Sequence, residues 1–503
     1  MSFGLRLFIF ATAIATTSVL AAGTDYTPAT ARSEIHLQFA ELLVSDGRYW
    51  EAIVSYENAK YGSSDRQLLR ALVGQVQALL RVAEFPRAHA QATSLRKLAP
   101  NDPMVLAFYG DATWAAGLFE EAEESYKDAL SINPEEARAH NGLAKSLATK
   151  NRLAEAITEV HVALGLSPNE SEFHHTLGSI QQRLNQFNEA ADSYEKYIDL
   201  HPHSADSDRV RWARAEVDFL RSFGDLVPYK ITGDKDILHR VSFKLDNGKV
   251  ILRARVNGQA EMDIVLDTGA ERTVFSQEGA ERVGLQSMGE TLSAGVGNVG
   301  LRDLQVGRLD SIEFGTLRIE NLPTIIKTPP LGGLPTREAE SFSPLAAGLS
   351  MMIDYKMREV VMGRALPIES TADIELPLRM HRLAMVRGVI NGDYSRSFVV
   401  DTGGAVISLS RATAATLPHH NRNIPLKVYG TSGWDPSAYL LTGVNLTFDQ
   451  IERPNQSVVV LNLHHPSALL GFHIGGIVGH SFLRNYRVSI DLNRSVLILN
   501  QLS

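Results

Sequence analysis

An all-α solenoid followed by an all-β region of two similar lobes, a multidomain α + β architecture, is the fold class that three features of the sequence predict. Up to about residue 222 the chain consists of helix formers in amphipathic order that recur with a 34-residue period. Beyond about residue 223 the pattern changes to apolar–polar alternation broken by Asn-Gly turns, the signature of strands and tight hairpins. Within that second region one short signature occurs twice, as Asp267-Thr268-Gly269-Ala270 and Asp401-Thr402-Gly403-Gly404.

Composition frames these features. A chain of 503 residues has room for two or three domains, each with its own core. Apolar residues make up 44% and charged residues 21%, values that argue against disorder or a fibrous fold. The net charge of −8 comes without a long basic run, which argues against nucleic acid as a partner. The chain has no cysteine, so disulfides, a thiol nucleophile and a zinc–thiolate site are excluded.

Residues 1–22 read as an export signal. Arg6 precedes the short apolar stretch Leu7 to Leu20, and Val19-Leu20-Ala21-Ala22 offers small residues for cleavage after Ala21 or Ala22. The stretch is shorter than the roughly 20 residues of a spanning helix, so no transmembrane segment is expected after cleavage. Export without cysteines points to a periplasmic or secreted protein, the periplasm being the better fit.

Residues 33–222 hold the helical repeats. Pro100, Pro134, Pro168 and Pro202 keep the 34-residue period, and an alanine stands twelve positions before each: Ala88, Ala122, Ala156 and Ala190. Twenty-four positions before the last three prolines stand Gly110, Ala144 and Gly178. Small residues at these places let paired helices approach closely, and the proline ends the second helix of each pair. This pattern resembles tetratricopeptide repeats (TPR), about five of them plus a terminal helix containing Trp212. The resemblance implies a surface for a protein partner.

A linker is expected at 223–240 and a second, Pro-containing one at 367–380, bracketing lobes at 241–366 and 381–503. Each lobe opens with an alternating strand and an Asn-Gly turn (Asn257-Gly258, Asn391-Gly392) ten residues before its aspartate. Each aspartate closes an apolar run, Ile264-Val265-Leu266 or Phe398-Val399-Val400. Further on, Gly476-Ile477-Val478-Gly479 in the second lobe and Ala346-Ala347-Gly348 in the first supply a candidate element crossing behind the aspartate loop.

This order resembles the retropepsin-like aspartic proteases, with both lobes of the bilobal domain fused in one chain. The resemblance implies a catalytic dyad of Asp267 and Asp401, supported by Thr268, Gly269, Thr402 and Gly403, each threonine bonding across to the opposite loop. Two neighbouring carboxylates cannot both ionise cheaply, so one keeps a proton while the other activates water. Acid-adapted members carry a hydroxyl after the glycine, where this chain has Ala270 and Gly404. The dyad is therefore expected to work between mildly acidic and near-neutral pH. Glycine-rich hairpins at Ser293–Gly300 and Val428–Trp434 are candidate flaps, with Gly295, Gly297, Tyr429, Gly430 and Trp434 as candidate substrate contacts. The first also matches G-x-G-x-x-G, but the strand pattern of Leu301 to Phe314 leaves no helix for a dinucleotide site. His419-His420 and His464-His465 read as solvated loops, and no metal or organic cofactor is called for.

The expected function is that of an exported aspartic endopeptidase whose repeats recruit a protein substrate or regulator. The alternative is a TPR scaffold whose inactive protease-like domain only binds extended peptides. A third reading is a latent protease, released when the linker after Phe223 moves or is cut.

Overall fold

The computed structural model describes residues 27–201, 207–233, 237–297, 300–327, 340–367, 372–418, 423–430 and 433–502. The expected export signal, Pro202 and His419-His420 lie outside them.

The first region is a stack of helices: α1 (Pro28–Ser45), α2 (Tyr49–Ala59), α3 (Asp65–Arg81), α4 (Phe85–Leu98), α5 (Pro103–Ala115), α6 (Phe119–Ile132), α7 (Ala137–Thr149), α8 (Leu153–Leu166), α9 (Ser171–Arg183), α10 (Phe187–Asp199) and α11 (Asp208–Arg221). Side chains that satisfy open amides set the starts of α1, α3 and α5: Thr27 and Ser64 form capping boxes, and Asp102 accepts from the amides of Met104 and Val105. The recurrent small residues act as expected. A Cβ on Gly110 would fall 2.5 Å from the Tyr126 ring, and one on Gly178 would fall 2.9 Å from Tyr194. In the α5–α6 and α9–α10 pairs, glycine in the first helix thus receives a tyrosine of the second. Among the described residues the helices form five pairs, α1–α2 to α9–α10, followed by α11.

The second region opens with β1 (Lys230–Thr232), β2 (His239–Asp246), β3 (Lys249–Val256), β4 (Met262–Leu266), β5 (Thr273–Ser276), β6 (Ser287–Ala294), β7 (Leu301–Phe314), β8 (Leu317–Lys327), β9 (Ser341–Phe342), β10 (Ser350–Asp354) and β11 (Glu359–Gly363). The second lobe follows with β12 (Ile374–His381), β13 (Leu383–Ile390), β14 (Tyr394–Val400), β15 (Ser408–Ser410), β16 (Asn423–Pro425), β17 (Val428–Gly430), β18 (Gly433–Asp435), β19 (Tyr439–Phe448), β20 (Ile451–Leu461), β21 (Gly476–Val478), β22 (Tyr486–Asp491) and β23 (Val496–Gln501).

The lobes repeat one plan. Both Asn-Gly turns place two consecutive residues at positive φ (Asn257 49° and Gly258 70°; Asn391 50° and Gly392 83°), the tight hairpin geometry that asparagine and glycine tolerate best. Asn257 exchanges bonds with Ser311, through its amide and side chain, as Asn391 does with Asn445. The lobes join through an antiparallel sheet running β2–β11–β10–β22–β23–β12, in which Met351 faces Ile490. One apolar core extends across both lobes, from Val250 and Leu266 to Val400 and Leu499.

Two linker expectations are corrected. Within 223–240, β1 already pairs with β8, and Phe223 packs on Phe187 and Phe219. Within 367–380, β12 begins at Ile374 and pairs with both β23 and β13. In both places tertiary pairing organises a stretch whose composition suggested a connector.

The solenoid is docked on the lobes. Trp114, Phe119 and Tyr126 share an apolar cluster with Leu470, Phe472 and Ile474 of the second lobe, and the Phe119 and Phe472 rings lie 5.3 Å apart. The His473 amide donates to the Ala115 carbonyl at 2.7 Å, and Arg379 pairs with Glu120 at 2.8 Å. The odd-numbered helices α3 to α11 line a cavity of about 730 Å³, closed on one side by His381, His464, His465 and Leu470. His464-His465 is thus the first turn of a helix, His464–Leu470, rather than a loop.

Candidate active site

β4 and β14 deliver the two aspartates to equivalent positions. β4 runs parallel to β9, and β14 runs parallel to β21. The Asp267 amide donates to the Phe342 carbonyl at 2.9 Å, and the Asp401 amide to Val478 at 3.0 Å. This match corrects the expected crossing element of the first lobe. It is Ser341-Phe342, not Ala346-Ala347-Gly348. The alanines form a 3-10 turn after the crossing, and Gly348 ends it at φ 71°, where glycine is the natural residue.

The two loops interlock. The Thr268 hydroxyl donates to the Val400 carbonyl at 2.7 Å and accepts from the Thr402 amide at 3.0 Å. The Thr402 hydroxyl donates to the Leu266 carbonyl at 2.8 Å and accepts from the Thr268 amide at 3.1 Å. Both threonines are buried. Hydroxyls suit this role because one atom both donates and accepts.

The carboxylates meet over the glycines. A Cβ on Gly269 would lie 2.5 Å from Asp401 Oδ1, and one on Gly403 would lie 2.6 Å from Asp267 Oδ1. Each glycine therefore leaves the space that the opposite aspartate fills. The Gly269 amide donates to Asp267 Oδ1 at 3.0 Å, while Asp401 Oδ1 accepts from both Gly403 and Gly404, at 2.8 and 2.9 Å. Burial and the neighbouring Asp267 carboxylate push the Asp401 carboxyl up to about 7, against the pull of those two amides. Chemically, such a pair keeps one proton through mildly acidic pH and can act as acid and base together.

The flap candidates also meet. Gly295-Val296-Gly297 and Gly300 are the described part of the β6–β7 tip, with Gly297 at φ 142°. Gly430 abuts it so closely that a Cβ would fall 2.2 Å from the Val296 carbonyl oxygen. Val296 and Val428 pack on the cluster shared with Trp114 and Phe472. Tyr429 pairs with Trp434 in the β17–β18 ladder, and Trp434 is 40% exposed. The dyad residues therefore come together at one place and the hairpin tips at another contact, each joining the two lobes. As expected, β7 continues as strand through Leu301–Phe314. Among the described residues no group of three or more histidine or acidic side chains is arranged to hold a metal, and no helix is long and apolar enough to cross a membrane.

One set of residues escaped sequence reasoning. The stretch after the first Asp-Thr-Gly, Glu271-Arg272, is held by side chains from outside its lobe: Arg272 pairs with Glu216 of α11, and Glu271 with Arg382. The available signal was Glu216 itself. It is an acidic residue on the buried stripe Trp212, Ala213, Val217, Leu220 of an amphipathic helix.

Comparison with known proteins divides the chain in the same way. Residues 252–337 match the model of an aspartyl protease family, a stretch that contains Asp267 and the first candidate flap. Tetratricopeptide-repeat models match residues 73–135, 110–171 and 171–204. No curated protein matches. The solved structures similar to the chain include a thermophilic TPR protein of Thermus thermophilus (21% identity, 38% of this chain, 98% of that one, TM-score 0.31). Another is MamA of Desulfovibrio magneticus RS-1 (21% identity, 35% and 98%, TM-score 0.25). YrrB, described as a TPR protein with an unusual peptide-binding site, is 17% identical over 33% of this chain and 86% of that one, with a TM-score of 0.23.

Proposed function

We propose that this chain, in which tetratricopeptide repeats precede a retropepsin-like aspartyl-protease domain, is an aspartic endopeptidase that uses Asp267 and Asp401 as one dyad. The observation that carries the proposal is the reciprocal packing of each aspartate against the other loop's glycine, together with one carboxyl that keeps its proton to about pH 7. In the proposed reaction the ionised carboxylate takes a proton from a water molecule as it attacks the scissile carbonyl. The protonated partner gives its proton to the carbonyl oxygen, and a proton then passes to the leaving amine. Thr268 and Thr402 fix the separation of the carboxylates, and the paired hairpin tips around Val296 and Gly430 would hold an extended peptide by strand-like bonds. The repeats would recruit the protein substrate or a regulator, and residues 1–22 would direct export to the periplasm.

Release of peptides from an unfolded mixed-sequence substrate, followed from pH 3 to 8, tests the proposal. The parent should cleave, with activity falling as pH rises through about 7, the value at which Asp401 loses its proton. Asp267→Asn and Asp401→Asn should both be inactive. A parent that binds peptides and cleaves none at any pH would instead support the scaffold function.

A further inference from the structure

The two aspartate loops are supported from behind in different ways. In the second lobe, the helix following β21 supplies two amides: His480 donates to the Gly404 carbonyl at 2.7 Å and Ser481 to Ala405 at 3.0 Å. In the first lobe the positions matching His480 and Ser481, two and three residues after the carbonyl that holds the aspartate amide, are Pro344, which has no amide hydrogen to give, and Leu345. The loop beyond Gly269 is gripped by the solenoid. The Arg272 guanidinium pairs with Glu216, which is 0% exposed, and lies 4.8 Å from the centre of the Phe219 ring. Gln182 of α9 holds the same Glu216 oxygen at 2.7 Å, and the other oxygen has no partner among the described residues. Alongside, Arg382 pairs with Glu271 and stacks 4.8 Å from the Trp212 ring.

We propose that α11 is a positioning element of the dyad, with Glu216 acting through Arg272 to hold the Asp267 loop in register with Asp401. The solenoid is then part of the catalytic unit, not only a recruiting arm. Arg272 stands five residues after Asp267, immediately before β5, so its anchor fixes the exit of the turn that the aspartate enters. A buried carboxylate is costly unless paired, and a planar guanidinium stacked on an aromatic face suits a contact that must keep one geometry. α11 also reaches the large cavity through Arg209, which pairs there with Glu172. A partner that shifts α11 from that side would therefore move the Asp267 loop.

The inference rests on the endopeptidase proposal for its kinetic consequence, but its structural part is measured separately. The experiment takes the full chain and compares the parent, Glu216→Gln, Glu216→Gln/Arg272→Met and Arg387→Gln. The last cuts a different solenoid–lobe pair, Arg387–Glu121. The double variant leaves no unpaired buried charge and should fold like the parent. Amide hydrogen exchange across 266–273 should rise about tenfold or more in both Glu216 variants, while exchange across 400–407 stays at parent values. With displacement of the loop, kcat should fall about 10- to 100-fold with KM little changed. Arg387→Gln should change neither. Parent-like exchange at 266–273 in both Glu216 variants would overturn the proposal, and so would an equal rise at 400–407. If the parent proved inactive while the exchange contrast held, the anchoring would stand and the endopeptidase proposal would fall.

Discussion

The two lobes share a hairpin, a crossing strand that accepts from the aspartate amide, and an aspartate loop, yet they brace the rest of that loop differently. His480 and Ser481 amides close on Gly404 and Ala405, whereas Glu271 and Arg272 reach outside the first lobe, to Arg382 and to α11. Duplicated parts thus keep identical faces where they meet, at the threonine and glycine contacts, and diverge where each meets a different neighbour. A symmetric motif does not imply symmetric support.

The shared face makes the largest prediction. Gly269→Ala and Gly403→Ala would each drive a Cβ into the opposite carboxylate, so both should lower kcat by at least about 10²-fold. A loss confined to one of them would break the equivalence of the loops. Next, Thr268→Ala and Thr402→Ala each remove two buried hydrogen bonds, so chemical denaturation should show losses of about 1–3 kcal/mol for each. A clearly larger loss at Thr268 would indicate that the first lobe depends more on this joint.

A subtler effect follows from Asp401. Its raised carboxyl means that the folded chain holds a proton the unfolded chain has released. Stability from this group is therefore full below the ordinary carboxylate range, about pH 4, and is lost as pH rises through about 7. Asp401→Asn removes that dependence, so its Tm relative to the parent should be higher at pH 8 than at pH 4. A difference independent of pH would mean that Asp401 is not held neutral. The smallest change is expected at the hairpin tips. Gly430→Ala cannot keep its contact with Val296, and KM should rise several-fold with the dyad intact.

The repeats were legible because prolines and small residues mark the helix pairs from α3–α4 to α9–α10, and the twofold plan because turns and aspartates recur at fixed spacing. Several features could not be read along the chain. Ser341-Phe342 is a two-residue strand whose place is set by pairing with β4, while nearby Ala346-Ala347-Gly348 resembles the sought pattern only through a helix-ending glycine. β12 lies in a stretch that composition marks as a connector, because one strand serves both the joining sheet and a hairpin. The docking of the solenoid rests on residues such as Gly117, Ser397 and Glu216, whose partners lie in distant parts of the chain.

The central claim is that two lobes of one chain make a single dyad. The most direct measurement is kcat for Asp267→Asn, Asp401→Asn and the double variant on one peptide substrate. Each single variant should lose at least about 10³-fold, and the double should be no worse, as for groups acting as a unit. Activity retained in either single variant, or losses that multiply in the double, would contradict it.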